Sequence, residues 1–243
     1  MRLIRHLPNF LTSINLFLGT VGTFFAITGR PDITVWCVLA GALFDFFDGF
    51  AARLLNAYSL IGKDLDSLAD LISFGLAPAA AYSSLLHYYL TGSWGGEFWN
   101  LTISEQTLLL LPFILVVFSA LRLAKFNNDT RQTENFIGLT TTATGMFTVS
   151  FVYLIHSGVS WVQPLASPWF ILPLIAVFCG LLVSEIPMFS LKFKKFGFKG
   201  NEPRYALLAI SFPALVFLGA GALALIIPAY VVYSMVLAMG EKK

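Results

Sequence analysis

The acidic residues of this chain are concentrated in one short segment. Five of its 13 Asp and Glu residues fall between positions 45 and 70, and long apolar runs lie on both sides. If 33–55 and 62–90 are helices, four of these acids form two pairs, spaced three and four residues apart, and each pair shares a helix face. The four are Asp45, Asp48, Asp66 and Asp70. Four carboxylates in a partly dehydrated volume repel one another unless cations compensate them, so the spacing predicts a site for hard divalent cations.

Small residues continue both acidic faces. Gly49 and Ala52 lie four and seven positions after the first acid, and Gly62 lies four positions before the third. A strip without side chains lets another backbone or a flat ligand approach closely. Arg53 closes the first segment with a fixed positive charge that suits phosphate. The segment therefore combines predicted cation ligands with a predicted place for a phosphorylated ligand.

Composition predicts that the chain lies in a lipid bilayer. It has 243 residues, 57% of them hydrophobic and only 12% charged, which is too apolar for a soluble globule of this size. The net charge is +2, and no basic tract is interleaved with aromatics, so nothing indicates a nucleic-acid partner. Cys37 and Cys179 fall inside apolar runs without metal-ligand spacing, which is typical of packing residues.

The apolar runs predict an all-α fold, a polytopic transmembrane bundle of about eight spans. The six core spans are predicted at about 10–28, 33–55, 62–90, 107–125, 141–161 and 168–184. The last run, 205–239, exceeds the roughly 20 residues of one crossing, so Gly219 and Gly221 are predicted to divide it into two spans. Because no linker or repeat divides the chain, residues 1–243 are predicted to form a single integral-membrane domain.

Positive charge predicts the orientation in the membrane. With these spans, 14 of the 15 Lys and Arg residues fall on one side, and Arg30 alone falls on the other. Cytoplasmic loops carry the excess of Lys and Arg. Both termini and the acidic segment 45–70 are therefore predicted to face the cytoplasm, with the protein in the cytoplasmic (inner) membrane.

The acidic segment resembles the signature of the CDP-alcohol phosphotransferases. That signature has the form D-x-x-D-G-x-x-A-R, eight residues, then G-x-x-x-D-x-x-x-D, and this chain matches it without departure. Further segments resemble the bacterial phosphatidylserine synthase branch of the family: DSLADLISFGLAPA, RLAKFN, FIGL and SEIPMFSLKFK. One departure is visible, because Thr140, Thr141 and Thr142 stand where the branch has a proline-containing run.

The resemblance implies a reaction. It implies that a phosphatidyl group passes from CDP-diacylglycerol to the hydroxyl of L-serine, giving phosphatidylserine and CMP by direct displacement. Two divalent ions, Mg²⁺ or Mn²⁺, are implied at the motif aspartates, and Asp70 is implied as the general base as well as a metal ligand. Nucleotide and phosphate contacts are implied at Gly49, Ala52, Arg53 and Gly62. A homodimer is typical of the family and is expected here.

Two cations at the end of the fourth predicted span form a second candidate set. An anionic substrate beside four carboxylates needs positive charge on its other side, and Arg122 and Lys125 are placed to supply it to the serine carboxylate. The same two residues would also serve as cations that mark the cytoplasmic boundary.

Two other functions are compatible with the sequence. The chain could belong to the same family and use another acceptor, glycerol 3-phosphate or an inositol compound, which would give a different product. A phosphorylated acceptor would call for more cationic residues near the site than the two at the fourth span. A cation transporter would also hold carboxylates in its spans. In a transporter the acids should be spread through the bilayer depth, whereas here they are massed at one edge.

Overall fold

The computed structural model describes residues 6–129, 136–189 and 202–240, and in these ranges the chain is almost wholly helical. Five helical segments are long and apolar enough to cross a membrane: Leu7–Ile27, Pro31–Leu54, Leu60–Thr91, Ile103–Asn128 and Arg204–Met239. Pro168–Val183 is a shorter apolar helix. The structure therefore confirms an all-α polytopic membrane bundle. The number of crossings and the cytoplasmic orientation stay predictions, and residues 1–5 and 241–243 at the two termini lie outside the described ranges.

The first two helices form a tight antiparallel hairpin. Helix α1 is Leu7–Ile27 and helix α2 is Pro31–Leu54, where proline occupies a first-turn position that needs no backbone donor. The face of α1 towards the bundle is formed by small and polar residues: Pro8, Thr12, Asn15, Gly19, Gly22 and Ala26. Small residues let two helix backbones approach closely in a membrane. This close approach sets the distance between α1 and the acids of α2.

The third span is interrupted by a wide turn. Helix α3 is Leu60–Asp70, a π-helical turn covers Leu71–Leu76, and helix α4 is Ala77–Thr91. Ser59 caps α3 by accepting a hydrogen bond from the Gly62 backbone N–H at 3.0 Å. Helix α4 is buried over most of its length, so it lies at the centre of the bundle.

The next helices surround α4. Helix α5 is Ile103–Leu110, and a 3₁₀ turn at Leu111–Phe113 joins it to helix α6, Ile114–Asn128. Helix α7, Thr141–His156, is buried and packs on α2 and α4. Helix α8, Pro168–Val183, packs on α6.

A short strand pair, which the sequence did not predict, joins the segment before α7 to the segment after α8. Strand β1, Phe136–Ile137, pairs antiparallel with β2, Pro187–Met188. The backbone N–H of Gly138 extends the pairing by donating to the Ile186 carbonyl at 2.8 Å.

The final apolar run breaks at the predicted glycines. Helix α9 is Glu202–Leu218, a 3₁₀ turn covers Gly219–Ala222, and helix α10 is Leu223–Gly240. Gly219 has φ of 51°, which favours glycine, and a Cβ on Gly221 would lie 2.2 Å from Leu154 Cδ2 on α7.

Candidate active site

Three of the four motif aspartates meet at one point. Asp45 and Asp48 lie near the end of α2, and Asp66 lies on α3. One carboxylate oxygen from each lies within 4.8 Å of the others. Three convergent carboxylates are the donor set that hard divalent ions such as Mg²⁺ and Mn²⁺ prefer, so these residues fit the predicted cations. Asp64, which lies outside the motif, is exposed.

Asp48 is held by a residue of α1. The Thr12 hydroxyl donates to Asp48 Oδ2 at 2.6 Å, and both side chains are buried. Thr12 lies outside the site residues predicted from the sequence, because no spacing rule connects position 12 with position 48. Its only signal is a polar residue on the buried face of an apolar helix.

A first cavity of about 220 Å³ opens beside these carboxylates. Its lining combines the beginning of α1 with the end of α2 and the start of α3: Pro8, Asn9, Thr12, Asp48, Gly49, Ala52, Ala57, Tyr58, Ser59, Gly62, Lys63 and Asp66. Three of the predicted nucleotide contacts, Gly49, Ala52 and Gly62, are therefore brought together. Arg53, the fourth, is exposed, and its Nη1 would lie 3.5 Å from a Cβ on Gly49, so the guanidinium lies close to the cavity wall.

Gly62 leaves no room for a side chain. A Cβ there would lie 2.8 Å from Asn9 Oδ1 and 2.9 Å from Ser59 Oγ. Its neighbour Lys63 also lines the first cavity and donates to the Asn127 carbonyl at 2.9 Å. Asn127 in turn donates from Nδ2 to Ser67 Oγ at 2.8 Å, so the end of α6 is fastened to α3.

The fourth aspartate lies at a second cavity. Asp70 is one turn beyond Asp66 and, together with Arg122 of α6, lines a space of about 680 Å³. The other lining residues are mostly apolar or aromatic: Phe46, Phe126, Thr140, Thr142, Ala143, Met146, Phe189, Leu207, Leu223, Ile226, Ile227 and Tyr230. The cavity is therefore mainly apolar, with one carboxylate, that of Asp70, and one guanidinium, that of Arg122, in its wall.

The two charged residues of the second cavity have unused polar atoms. Asp70 Oδ1 and Arg122 Nη2 are buried and have no hydrogen-bond partner among the residues that the structure describes. Arg122 Cζ lies 4.7 Å from the centre of the Phe126 ring, a cation–π contact that helps to retain the buried guanidinium. A carboxylate and a guanidinium with free capacity are suited to a zwitterionic ligand.

Lys125, the second predicted anion-binding cation, points elsewhere. Its Nζ donates to the Val183 carbonyl at 3.3 Å and forms an ion pair with Glu185, which follows the end of α8. In the described part of the chain, Lys125 lines neither of the two cavities. Through this ion pair, Lys125 links α6 to the segment after α8.

The threonine run that departs from the family pattern begins α7. Thr140 caps this helix by accepting from the Ala143 backbone N–H at 3.2 Å. Thr142 lines the second cavity, and Thr141 is buried. The run therefore starts a helix beside the two charged residues of the second cavity.

Comparison with curated proteins finds several relatives that share one name, CDP-diacylglycerol–serine O-phosphatidyltransferase. The protein from Helicobacter pylori is 35% identical over 149 residues, which are 60% of this chain and 57% of the relative. The protein from Mycobacterium leprae is 30% identical over 218 residues, 86% of this chain and 65% of the relative. The protein from Bacillus subtilis is 35% identical over 153 residues, 62% of this chain and 78% of the relative. The match thus spans less than two thirds of the length of the first two relatives.

A family model, the CDP-alcohol phosphatidyltransferase model, matches residues 5–182. This range includes α1 to α7 and nearly all of α8, and therefore the whole acidic cluster together with Arg122. From this match and the motif geometry, the chain belongs to the CDP-alcohol phosphatidyltransferase family.

Proposed function

We propose that this chain transfers a phosphatidyl group from CDP-diacylglycerol to the hydroxyl of L-serine, producing phosphatidylserine and CMP. One observation carries the proposal. Asp48 and Asp66 line the first cavity, and Asp70, one turn after Asp66 on α3, lines the second. A transfer between two bound molecules needs this arrangement, with one substrate on each side of the reacting centre. The shared name of the relatives supports serine as the acceptor.

Asp45, Asp48 and Asp66 would hold divalent cations, with Asp70 as a further ligand. When bound, Mg²⁺ or Mn²⁺ neutralises the diphosphate and stabilises the charge that develops on the departing CMP. The three clustered carboxylates are the reason for expecting the ions, because like charges this close are costly in a membrane protein without compensation.

The first cavity would receive the nucleotide end of CDP-diacylglycerol. Gly49, Ala52 and Gly62 expose backbone along its wall, which lets a flat base and its phosphates lie close to the helices. Arg53 lies beside Gly49 and supplies a positive charge for the phosphates.

The second cavity would receive serine. Arg122, with its unused Nη2, binds the serine carboxylate, and Lys125 remains a second candidate for this role. The serine hydroxyl oxygen attacks the lipid-linked phosphorus, and its proton passes to Asp70. The bond between this phosphorus and the CMP oxygen breaks, and its electron pair leaves with CMP. No covalent enzyme intermediate is needed.

The membrane setting suits a lipid substrate. The second cavity is lined mainly by apolar side chains of α7, α9 and α10, which can contact acyl chains while the headgroup stays at the acids. We place the site at the cytoplasmic face of the inner membrane, where serine is available, and we expect the protein to act as a homodimer.

The test measures CMP release by the purified chain in mild detergent. CDP-diacylglycerol and Mn²⁺ or Mg²⁺ are supplied with serine, glycerol 3-phosphate or inositol, and Asp70→Asn serves as the inactive control. We expect CMP only with serine and metal, no CMP from Asp70→Asn, and a raised KM for serine in Arg122→Met. CMP release with another acceptor would refute serine. No release with any acceptor from folded protein would refute the transfer and favour a transporter.

A further inference from the structure

We propose that Thr12 is a positioning residue for the cation site, and that its hydroxyl fixes the orientation of the Asp48 carboxylate. This inference rests on the proposed metal-assisted transfer. It assigns a role to α1, whose residues lie outside the acidic motif.

The hydrogen bond between Thr12 and Asp48 is short and buried. The Thr12 hydroxyl lies 2.6 Å from Asp48 Oδ2 and 3.0 Å from the Pro8 carbonyl one turn earlier on α1. A hydroxyl has one hydrogen to donate. Asp48 Oδ2 is the nearer and stronger of the two acceptors, because it belongs to a charged carboxylate, so it receives this hydrogen. Thr12 is 3% exposed and Asp48 is 6% exposed, so water competes little for either group.

Helix α1 is held firmly where it carries Thr12. Two turns further along, a Cβ on Gly19 would lie 2.2 Å from Ser73 Oγ, so α1 touches the π-helical turn after Asp70 at its closest approach. The Ser73 hydroxyl donates to the Asn15 carbonyl at 2.9 Å, which fixes α1 along its own axis. Thr12 is therefore placed by backbone contacts, and its short side chain adds little freedom.

This placement has a consequence for cation binding. Asp48 lies within 4.8 Å of two other carboxylates, which repel it when the site has no cation. Without a donor, its carboxylate would rotate away from Asp45 and Asp66. Groups that hydrogen-bond to a ligating carboxylate keep it oriented, and their loss typically costs about 10–100-fold in metal affinity.

The experiment compares Mn²⁺ binding by variants of the purified chain, measured by the electron paramagnetic resonance signal of free Mn²⁺. Thr12→Val keeps the shape and removes the donor, whereas Thr12→Ser keeps the donor. Thr20→Val is the matched control, because the Thr20 hydroxyl is exposed and donates only to the Leu16 carbonyl of its own helix. We expect Thr12→Val to weaken binding about 10–100-fold, and Thr12→Ser and Thr20→Val to bind as the wild type does.

The outcomes separate this inference from the proposed function. If the wild type binds Mn²⁺ and Thr12→Val binds it equally well, the role of Thr12 is refuted while the proposed transfer stands. If the wild type binds no Mn²⁺, both are refuted. Should Thr12→Val fail to fold, Thr12→Ala and Thr12→Ser provide the same comparison with smaller side chains, and equal binding by these two would refute the role of the hydroxyl.

Discussion

Adding one methyl group at Gly62 should impair substrate binding with little effect on folding. The Cβ of Gly62→Ala would lie 2.8 Å from Asn9 Oδ1 and 2.9 Å from Ser59 Oγ. Ordinary van der Waals contact with a Cβ begins at 3.4 Å, so both side-chain oxygens must move by at least about 0.5 Å. Asn9 lines the first cavity, and its displacement changes the shape of a space of only about 220 Å³.

The effects on stability largely cancel. Moving Ser59 weakens the cap of α3, which typically contributes about 0.5–2 kcal/mol. Alanine within a helix is favoured over glycine by about 1 kcal/mol, which offsets much of that loss. The free energy of unfolding should therefore change by no more than about 1 kcal/mol, while a misplacement of about 1 Å in a binding site can cost up to about 100-fold in rate.

The assay is CMP release at varied CDP-diacylglycerol with saturating serine. We expect kcat/KM of Gly62→Ala to fall about 10–100-fold, mainly through KM, with a nearly unchanged thermal midpoint. Gly180→Ala is the matched control, since Gly180 is exposed on α8 and its Cβ would meet no described atom within 4 Å. If Gly62→Ala retains kcat/KM within about threefold of wild type, the cavity does not hold the nucleotide as we propose.

Three further predictions concern α6 and α7. Gly145→Ala should lower the thermal midpoint by several degrees, because its Cβ would lie 2.8 Å from the backbone of Phe74 and overpacking costs about 1–3 kcal/mol; an unchanged midpoint would contradict this contact. Lys125→Gln and Glu185→Gln should change the KM for serine equally and by less than about fivefold, since half-exposed pairs contribute at most about 1 kcal/mol; a rise confined to Lys125→Gln would instead assign that lysine to serine. Thr142→Val should raise the KM for serine and leave that for CDP-diacylglycerol unchanged, because Thr142 is a polar residue of the second cavity, whereas only the apolar residues there are proposed to contact acyl chains; equal changes in both KM values would contradict serine binding at this hydroxyl.

The acidic cluster was predictable because its information is local. Spacings of three and four residues place acids on one helix face whatever the rest of the chain does, and two helices joined by a short connection must be neighbours. The structure accordingly brings Asp45, Asp48 and Asp66 together. The break at Gly219 was predictable for a similar reason, because glycine by itself permits a positive φ, which is 51° here.

Other parts of the site depend on contacts between distant segments. The bond from Thr12 to Asp48 joins residues 36 positions apart, and no periodicity in either helix specifies it. The pairing of Phe136–Ile137 with Pro187–Met188 has no strand pattern, because two-residue strands are too short to show alternation. Arg122 and Lys125 are close in sequence, which suggested that they act together. In the structure, Lys125 instead forms an ion pair with Glu185 in the segment after α8.

The charges of the second cavity are positioned by residues that carry no charge. A π-helical turn begins directly after Asp70, and such wide turns are frequent at functional sites. Gly75 in this turn comes so close to α6 that its Cβ would lie 3.3 Å from Ser119 Cβ, one helical turn before Arg122. Gly145 packs as closely against the same turn from α7. Because glycine lets both helices approach the turn, the buried guanidinium of α6 reaches the wall that Asp70 occupies. The presence of Asp70 and Arg122 in the wall of one cavity therefore depends on close backbone packing, and substitutions at these glycines should disturb catalysis although they change neither charge.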